Sequence, residues 1–549
     1  MHLDAIFRNG RITTLDPDHP DAAAIGVHAG RIVGLDGDLD GCTATYEADL
    51  RGAPVVPGFN DAHQHLSMRG RRLRELDLGS DAVRSLDELY AAVARRAESL
   101  PAGAWLRGAG YDQNKIGAHP TADALDRVSG GRPVWLEHCS GHMCVVNSAA
   151  FARMGHADRT AVPDVPGGHV ERDADGRATG LLQEKAQGLV QRVLLPAPAD
   201  EYLACIAEAS RVGLSEGLTS ATEPGIGTSD GIGNGPADLH AFLTARETGA
   251  LGVRMTLMPY ITALRDMGAF EPGGKWFGLD LGVRTGLGDE WVRVGPTKIL
   301  ADGSLIGRSA AMCCDYHDDP GNSGFYQFDP AELHRLILDA HRCGWQVATH
   351  AIGDAALDTV LDAYAEAQRH HPRADVRHRV EHCAVASDEQ VARLAALGVV
   401  PTPQGRFVSE IGDGMLAAMG PQRSRLAYRM RAFLDAGVVL TGSTDAPVVH
   451  GAPLLSLHDM VNRRTASGAP FTPEEAVTVE EALRAYTVGS AYAAHEEHIK
   501  GTLTPGKLAD FVVLSEDPHT IPPGRIKDIT VGATIVGGTV SYNDGAINA

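Results

Sequence analysis

Followed by its apolar positions alone, the chain changes rhythm twice. Near the N-terminus, residues 4–14 (DAIFRNGRITT) and 24–35 (AIGVHAGRIVGL) are short β-rich runs broken at Asn9-Gly10 and Ala29-Gly30. Asn-Gly between such runs is a strong hairpin signal. The same style returns at 509–514 (ADFVVL) and 528–542 (DITVGATIVGGTVSY). These runs predict a small antiparallel β-sandwich built from both ends of the chain, 1–56 plus 496–549, with the termini close together.

Between the ends, apolar runs of strand length alternate with helical stripes. Strands are predicted at 53–59, 218–223, 254–260, 292–300, 346–350, 377–382, 399–403 and 438–443. Helices are predicted at 331–343, 354–371, 388–397, 423–436 and 479–492; in the second of these, Leu357, Val360, Leu361 and Tyr364 recur at three and four. Eight strands with intervening helices read as an α/β fold, a TIM-like (β/α)₈ barrel over 57–495. Between its first and second strands lies an insertion, 66–216, with a helical stretch at 85–100 and a strand at 132–138; it is expected to cover the barrel mouth. Without it, roughly 290 residues remain, an ordinary barrel size.

Composition narrows the function more than the fold. With 49 basic and 70 acidic side chains the net charge is −21, which argues against nucleic acid or an anionic membrane surface as the main partner. The eight cysteines form no C-x-x-C pair, and they read as free thiols of a reducing compartment. Neither a signal-peptide pattern nor an apolar run of membrane-span length is apparent, so a cytoplasmic location is expected. The 24 histidines raise the question of metals.

The first barrel strand runs into PGFNDAHQH (57–65), where i and i+2 alternation points His63 and His65 to one side. By itself H-x-H is a common pattern. Its weight comes from company: His350 ends QVATH, His382 ends RHRVEH, Asp445 follows VVLTGST, and Lys298 lies in VGPTKILADG. The two histidines and the aspartate fall at or just beyond the C-terminal ends of predicted strands, the face where such barrels keep their active sites, and Lys298 lies at the same level on another strand. Six ligand-type side chains converging on one rim predict a metal centre.

These residues, in the order His-x-His, Lys, His, His, Asp on strands one, four, five, six and eight, resemble the amidohydrolase superfamily. GYDQNK (110–115), SGHMCVVNSAAF (140–151), GLLQEKA (180–186) and KILADGSLIGR (298–308) resemble its branch of N-substituted formamide deformylase and YtcJ-like proteins. The resemblance implies two divalent ions, zinc by the donor set, bridged by a carboxylated Lys298; an unmodified Lys298 would leave one ion. It implies His63, His65 and Asp445 on one ion and His350 and His382 on the other. A metal-activated hydroxide would attack a non-peptide C–N bond, in an amide or N-substituted formamide, with Asp445 as general base.

Candidate substrate contacts are His142 and Glu184 in the insertion, Tyr260 after strand three, and Asp302 and Arg308 beyond Lys298. Each has an alternative: His142 packs in the insertion, Glu184 pairs with Lys185 or Arg177, Tyr260 is core, and Asp302 caps the turn at Gly303. Arg308 would clamp a carboxylate. The glycine-rich 225–235 lacks the phosphate-loop spacing and reads as a flexible loop. A cyclic imide or lactam hydrolase, a deaminase, a decarboxylase, a Schiff-base enzyme using Lys298 and a non-catalytic scaffold remain the alternatives. The expected partner is a small amide-type molecule, and a homo-oligomer is compatible with all of this.

Overall fold

The computed structural model describes residues 1–229, 232–268 and 275–547. Residues 230 and 231 of the glycine-rich stretch lie outside them. Two sheets contain strands from the chain's ends. One runs in the order Arg31–Leu35, Ile25–His28, His2–Arg8, Thr43–Asp49. The other runs Thr539–Asn543, Val531–Val536, Phe511–Leu514, Pro54–Pro57, Arg11–Thr13, Asp21–Ala22, so N- and C-terminal segments meet where Phe511 pairs antiparallel with Pro57. Phe7, Ile12, Phe511 and Ile535 share the core between them.

Two expectations fail here. Ala29-Gly30 turns a hairpin, with His28 opposite Arg31 and both turn residues at positive φ, but Asn9-Gly10 does not. His2–Arg8 pairs in one sheet and Arg11–Thr13 in the other, so Asn9 (φ 58°) is a corner between layers. Each flanking strand finds its ladder elsewhere, and both apolar faces enter one core. The sandwich is also mixed, because His2–Arg8 with Thr43–Asp49, and Arg11–Thr13 with Pro54–Pro57, are parallel.

The barrel consists of two parallel four-stranded arcs. The first holds Phe59–Asp61, Leu218–Ile226, Arg254–Pro259 and Val292–Val294; the second Thr297–Leu300, Val347–Ala351, Arg379–His382 and Val400–Thr402. The predicted run 53–59 divides at Gly58: its first part is a sandwich strand, and the barrel strand begins at Phe59. The run 292–300 breaks at Gly295-Pro296, because proline cannot donate to a ladder; Tyr260 bridges to Lys298 across the break. The eighth run forms no regular strand. It closes the barrel through the Gln404–Ser443 bridge and the Ala62 N–H to Gly442 carbonyl bond at 3.0 Å. Only glycine fits at 442, where a Cβ would sit 2.2 Å from the Tyr486 ring.

Helices match the stripes where caps are encoded. Asp388–Leu397 starts at a Ser387–Gln390 capping box and stops at left-handed Gly398. The predicted 423–436 helix is instead split at Tyr428 (φ 49°). There Ala427 bridges to Val385 beyond strand six, and the buried Arg463 guanidinium binds the Tyr428 carbonyl at 3.1 Å. The insertion holds a six-stranded sheet, Gly168–Arg172 through Leu76–Asp77, with its own apolar clusters. Its last helix, Ala199–Ser215, packs on Leu66–Arg74, and a Cβ at Gly70 would lie 1.8 Å from the Cys205 carbonyl. Among the described residues no helix is long and apolar enough to cross a membrane.

Candidate metal centre

The end of strand one is sewn to the eighth run before any ligand is considered. Asp61, fully buried, accepts the His63 and Thr444 N–H groups at 3.1 Å each and the Gln64 amide at 2.9 Å. Burial pushes its carboxyl up to about 6 despite those donors. In return the Asp445 N–H donates to the His63 carbonyl at 2.7 Å, and the His65 N–H to the Ala446 carbonyl at 2.8 Å. This places Nε2 of His63 and of His65 each 3.4 Å from Asp445 Oδ1. Ligand atoms of the three residues lie within 4.8 Å of one another.

His350 and His382 stand beside this group. The His382 ring centroid is 4.5 Å from that of His350 and 4.9 Å from that of His63. Each of these three imidazoles has one nitrogen engaged away from the cluster: His63 Nδ1 on Glu381, His382 Nδ1 on Gln404 Oε1 at 2.8 Å, and His350 Nε2 on the Gly303 carbonyl at 3.1 Å. Such outer partners set which nitrogen is left to bind a metal. Lys298 is 2% exposed, and burial lowers its amine to about 8, which favours the neutral form that carboxylation requires. All six side chains border one cavity of about 440 Å³.

The donor set fits a divalent metal. Asp445 Oδ1 is buried without a hydrogen bond, an expensive state for a carboxylate unless a cation meets it. Burial opposes its ionisation, but the surrounding histidines outweigh burial and hold it well below the usual carboxylate range. Asp445 (φ 59°) and His382 (φ 68°) both adopt the left-handed region, a strain that non-glycine residues keep mainly at functional sites. Imidazole nitrogens with carboxylate oxygen suit zinc and its first-row neighbours.

The other candidates divide. His142 and Glu184 reach the same cavity from the insertion; His142 Nδ1 meets Glu184 Oε2 at 2.9 Å, with the His142 ring 5.4 Å from that of His350. Burial lowers His142, but the Glu184 carboxylate outweighs it and the net shift is upward. Glu184 also accepts from Ser309 at 2.6 Å and from Gln327, and pairs with neither Lys185 nor Arg177. Tyr260 borders the cavity. Asp302 and Arg308 are not among the residues that border it, although Asp302 Oδ1 lies 3.4 Å from His350 Nε2. Asp302 accepts the N–H groups of Ala311, Ile352 and Gly353 at 2.8–3.0 Å, holding the loop against strand five rather than capping Gly303. Arg308 is neutralised by Asp318 and donates to the Ile306 carbonyl.

Glu381 is the functional residue that sequence reading passes over. It is fully buried, bonded to His63 and held by Arg379 through contacts of 2.8 and 2.9 Å. The available signal was R-x-E in RHRVEH, two charges on one face of a buried strand. Left-handed φ at His382 then lets the next side chain reach the site as well.

A family model described as "Amidohydrolase family" matches residues 47–542. The Bacillus subtilis protein YtcJ is 31% identical, over 98% of this chain and 99% of its own. The N-substituted formamide deformylase of Arthrobacter pascens is 30% identical, over 98% of each chain. The crystal structure of an uncharacterized metal-dependent hydrolase from Pyrococcus horikoshii superposes with a TM-score of 0.73 at 25% identity, covering 95% of this chain and 99% of that one. With a strand-end His-x-His, lysine, two histidines and aspartate gathered on one cavity, and a family match across nearly its whole length, this chain belongs to the amidohydrolase family.

Proposed function

We propose that the protein is a metal-dependent hydrolase that cleaves a non-peptide C–N bond in a small amide or N-substituted formamide. The observation that carries this reading is the buried, unbonded Asp445 oxygen among imidazoles whose far nitrogens are already engaged. His63, His65 and Asp445 would hold one divalent ion, His350 and His382 a second, and a carboxylated Lys298 would bridge them, with zinc the best match to the donors. A bound ion supplies Lewis acidity, polarising the carbonyl and lowering the pKa of water towards neutrality. Asp445 takes the proton of the attacking water and passes it to the leaving nitrogen, so that a C–O bond forms, the C–N bond breaks and an amine departs with that proton. His142, held by Glu184, lies on the insertion's side of the cavity and donates to the oxygen on which charge develops.

Metal analysis of protein expressed with zinc, joined to a panel of amides, formamides, cyclic imides and amino-substituted heterocycles, tests the reading. About one to two ions per chain with hydrolysis of an open-chain amide or formamide is expected. Turnover confined to the ring or amino-heterocycle substrates would transfer the same site to imide hydrolysis or deamination. Fewer than about half an ion per chain and no hydrolysis would sink it and favour a scaffold. Carbonyl-carbon NMR of protein grown with labelled bicarbonate reads the Lys298 carbamate directly.

A further inference from the structure

Behind His65 the catalytic cavity has a neighbour. A second cavity, with only about 50 Å³ of free space, shares His65, Met68, Gly141, Gln191 and Ile232 with the first. It in turn shares Arg71, Arg107, Glu201 and Cys205 with an open cleft of about 930 Å³ on the outer side of the insertion. Shared walls thus set three spaces side by side from a candidate ligand to the protein surface, next to the helices Leu66–Arg74 and Ala199–Ser215 and the insertion's sheet.

The middle space is lined mostly by apolar surface, with polar groups at its two ends. At its inner end Gln191 is 9% exposed and its Oε1 has no hydrogen-bond partner, while Glu223 takes two bonds from Ser67. At its outer end Arg71 pairs with Glu137 and lies over the Trp135 ring, and Arg107 holds Glu201 at 2.6 Å through one nitrogen, leaving further N–H donors. The outer cleft carries Arg71, Arg74, Arg96 and Arg107 against Glu75, Asp200 and Glu201. In a chain of net charge −21 that lining is a local exception. Burial also raises the Glu75 carboxyl, weakening one of the three opposing charges.

We infer that this series is a side exit for the smaller, anionic product of hydrolysis, a formate-sized carboxylate, with its binding site at Arg107 and Arg71. Free space of about 50 Å³ admits a few waters, hence formate, and excludes an aryl or long-chain acid. The inference rests on the hydrolytic reading, which it sharpens: a small acyl group leaves by the narrow route while the bulkier amine occupies the wide cavity.

Cys205, 4% exposed and on the shared wall of the neck and the cleft, is a built-in reporter. The test is its rate of modification by methyl methanethiosulfonate, followed by peptide mass spectrometry on the intact protein. It reads the neck without turnover, so it fails separately from the hydrolytic reading. Sodium formate is expected to slow modification at least threefold, benzoate and equimolar chloride to leave it unchanged, and Arg107→Met to abolish the protection while Arg107→Lys keeps part of it. The exit is overturned if Cys205 resists the reagent altogether, if formate and chloride act alike, if benzoate protects as well as formate, or if protection survives Arg107→Met.

Discussion

Asp445 combines a left-handed backbone, an N–H committed to the His63 carbonyl and a side-chain oxygen without a hydrogen bond, 3.4 Å from Nε2 of both His63 and His65. Its substitution therefore separates chemistry from folding. Asp445→Asn is expected to give a folded protein whose turnover on any accepted amide falls about 10²-fold or more, a typical general-base contribution; near-normal turnover would remove the role. Glu381 makes the opposite case, because it touches His63 rather than the cavity. Burial opposes its charge, yet Arg379 and His63 hold it well below the usual carboxylate range. Glu381→Gln should weaken metal binding about 10–100-fold, read by titrating stripped protein with Zn²⁺. Unchanged affinity would reduce Glu381 to a partner of Arg379. The six candidate ligand residues were legible as a group because each lies in or just beyond a β-patterned run aimed at one rim. Glu381 was not, because its meaning depends on a histidine 318 positions away.

At the level of elements, Glu223 on strand two accepts both the N–H and the hydroxyl of Ser67, tying that strand to the first turn of Leu66–Arg74. Burial pushes its carboxyl up to about 8 from 4.5. The folded state therefore holds a proton that the unfolded state has lost between those values, and stability contributed by this group falls as pH rises through the window. Glu223→Gln lacks that loss. Its urea midpoint relative to the parent should climb from about pH 5 to about pH 8 and then level off; a constant difference across that window would count against the burial argument. Periodicity found Asp388–Leu397 to the residue, since its caps lie within the segment. It missed the break at Tyr428, which Arg463 and the strand-six end impose from outside.

Across the whole molecule, the terminal sheets are fastened to the barrel by a buried pair. Arg254, on barrel strand three, binds Asp510 at 2.7 and 3.1 Å, with the two side chains 2% and 5% exposed. Removing one charge would strand the other in a low-dielectric interior. Asp510→Asn should lower unfolding free energy by about 3–5 kcal/mol, with Glu290 at 3.7 Å from Arg254 offsetting part of the loss. Equilibrium urea unfolding checks this, and a change below about 1 kcal/mol would mean the junction is held by packing alone.

Alternation and amphipathic stripes, which depend on neighbours a few residues apart, were enough to determine the α/β class, the insertion's place and the rim on which the candidate ligand residues gather. Tertiary structure alone decided the rest. It opened Asn9-Gly10 into a corner between sheets, split the first run at Gly58, and set Asp302 against the backbone beyond strand five and Arg308 against Asp318. It also supplied Glu381, Asp61 and Gln404 behind the ligands, and a narrow space behind His65. The reason is one of range. Propensity and period act along the chain, whereas a buried carboxylate's partner, or a gap between helices, exists only once distant segments have packed.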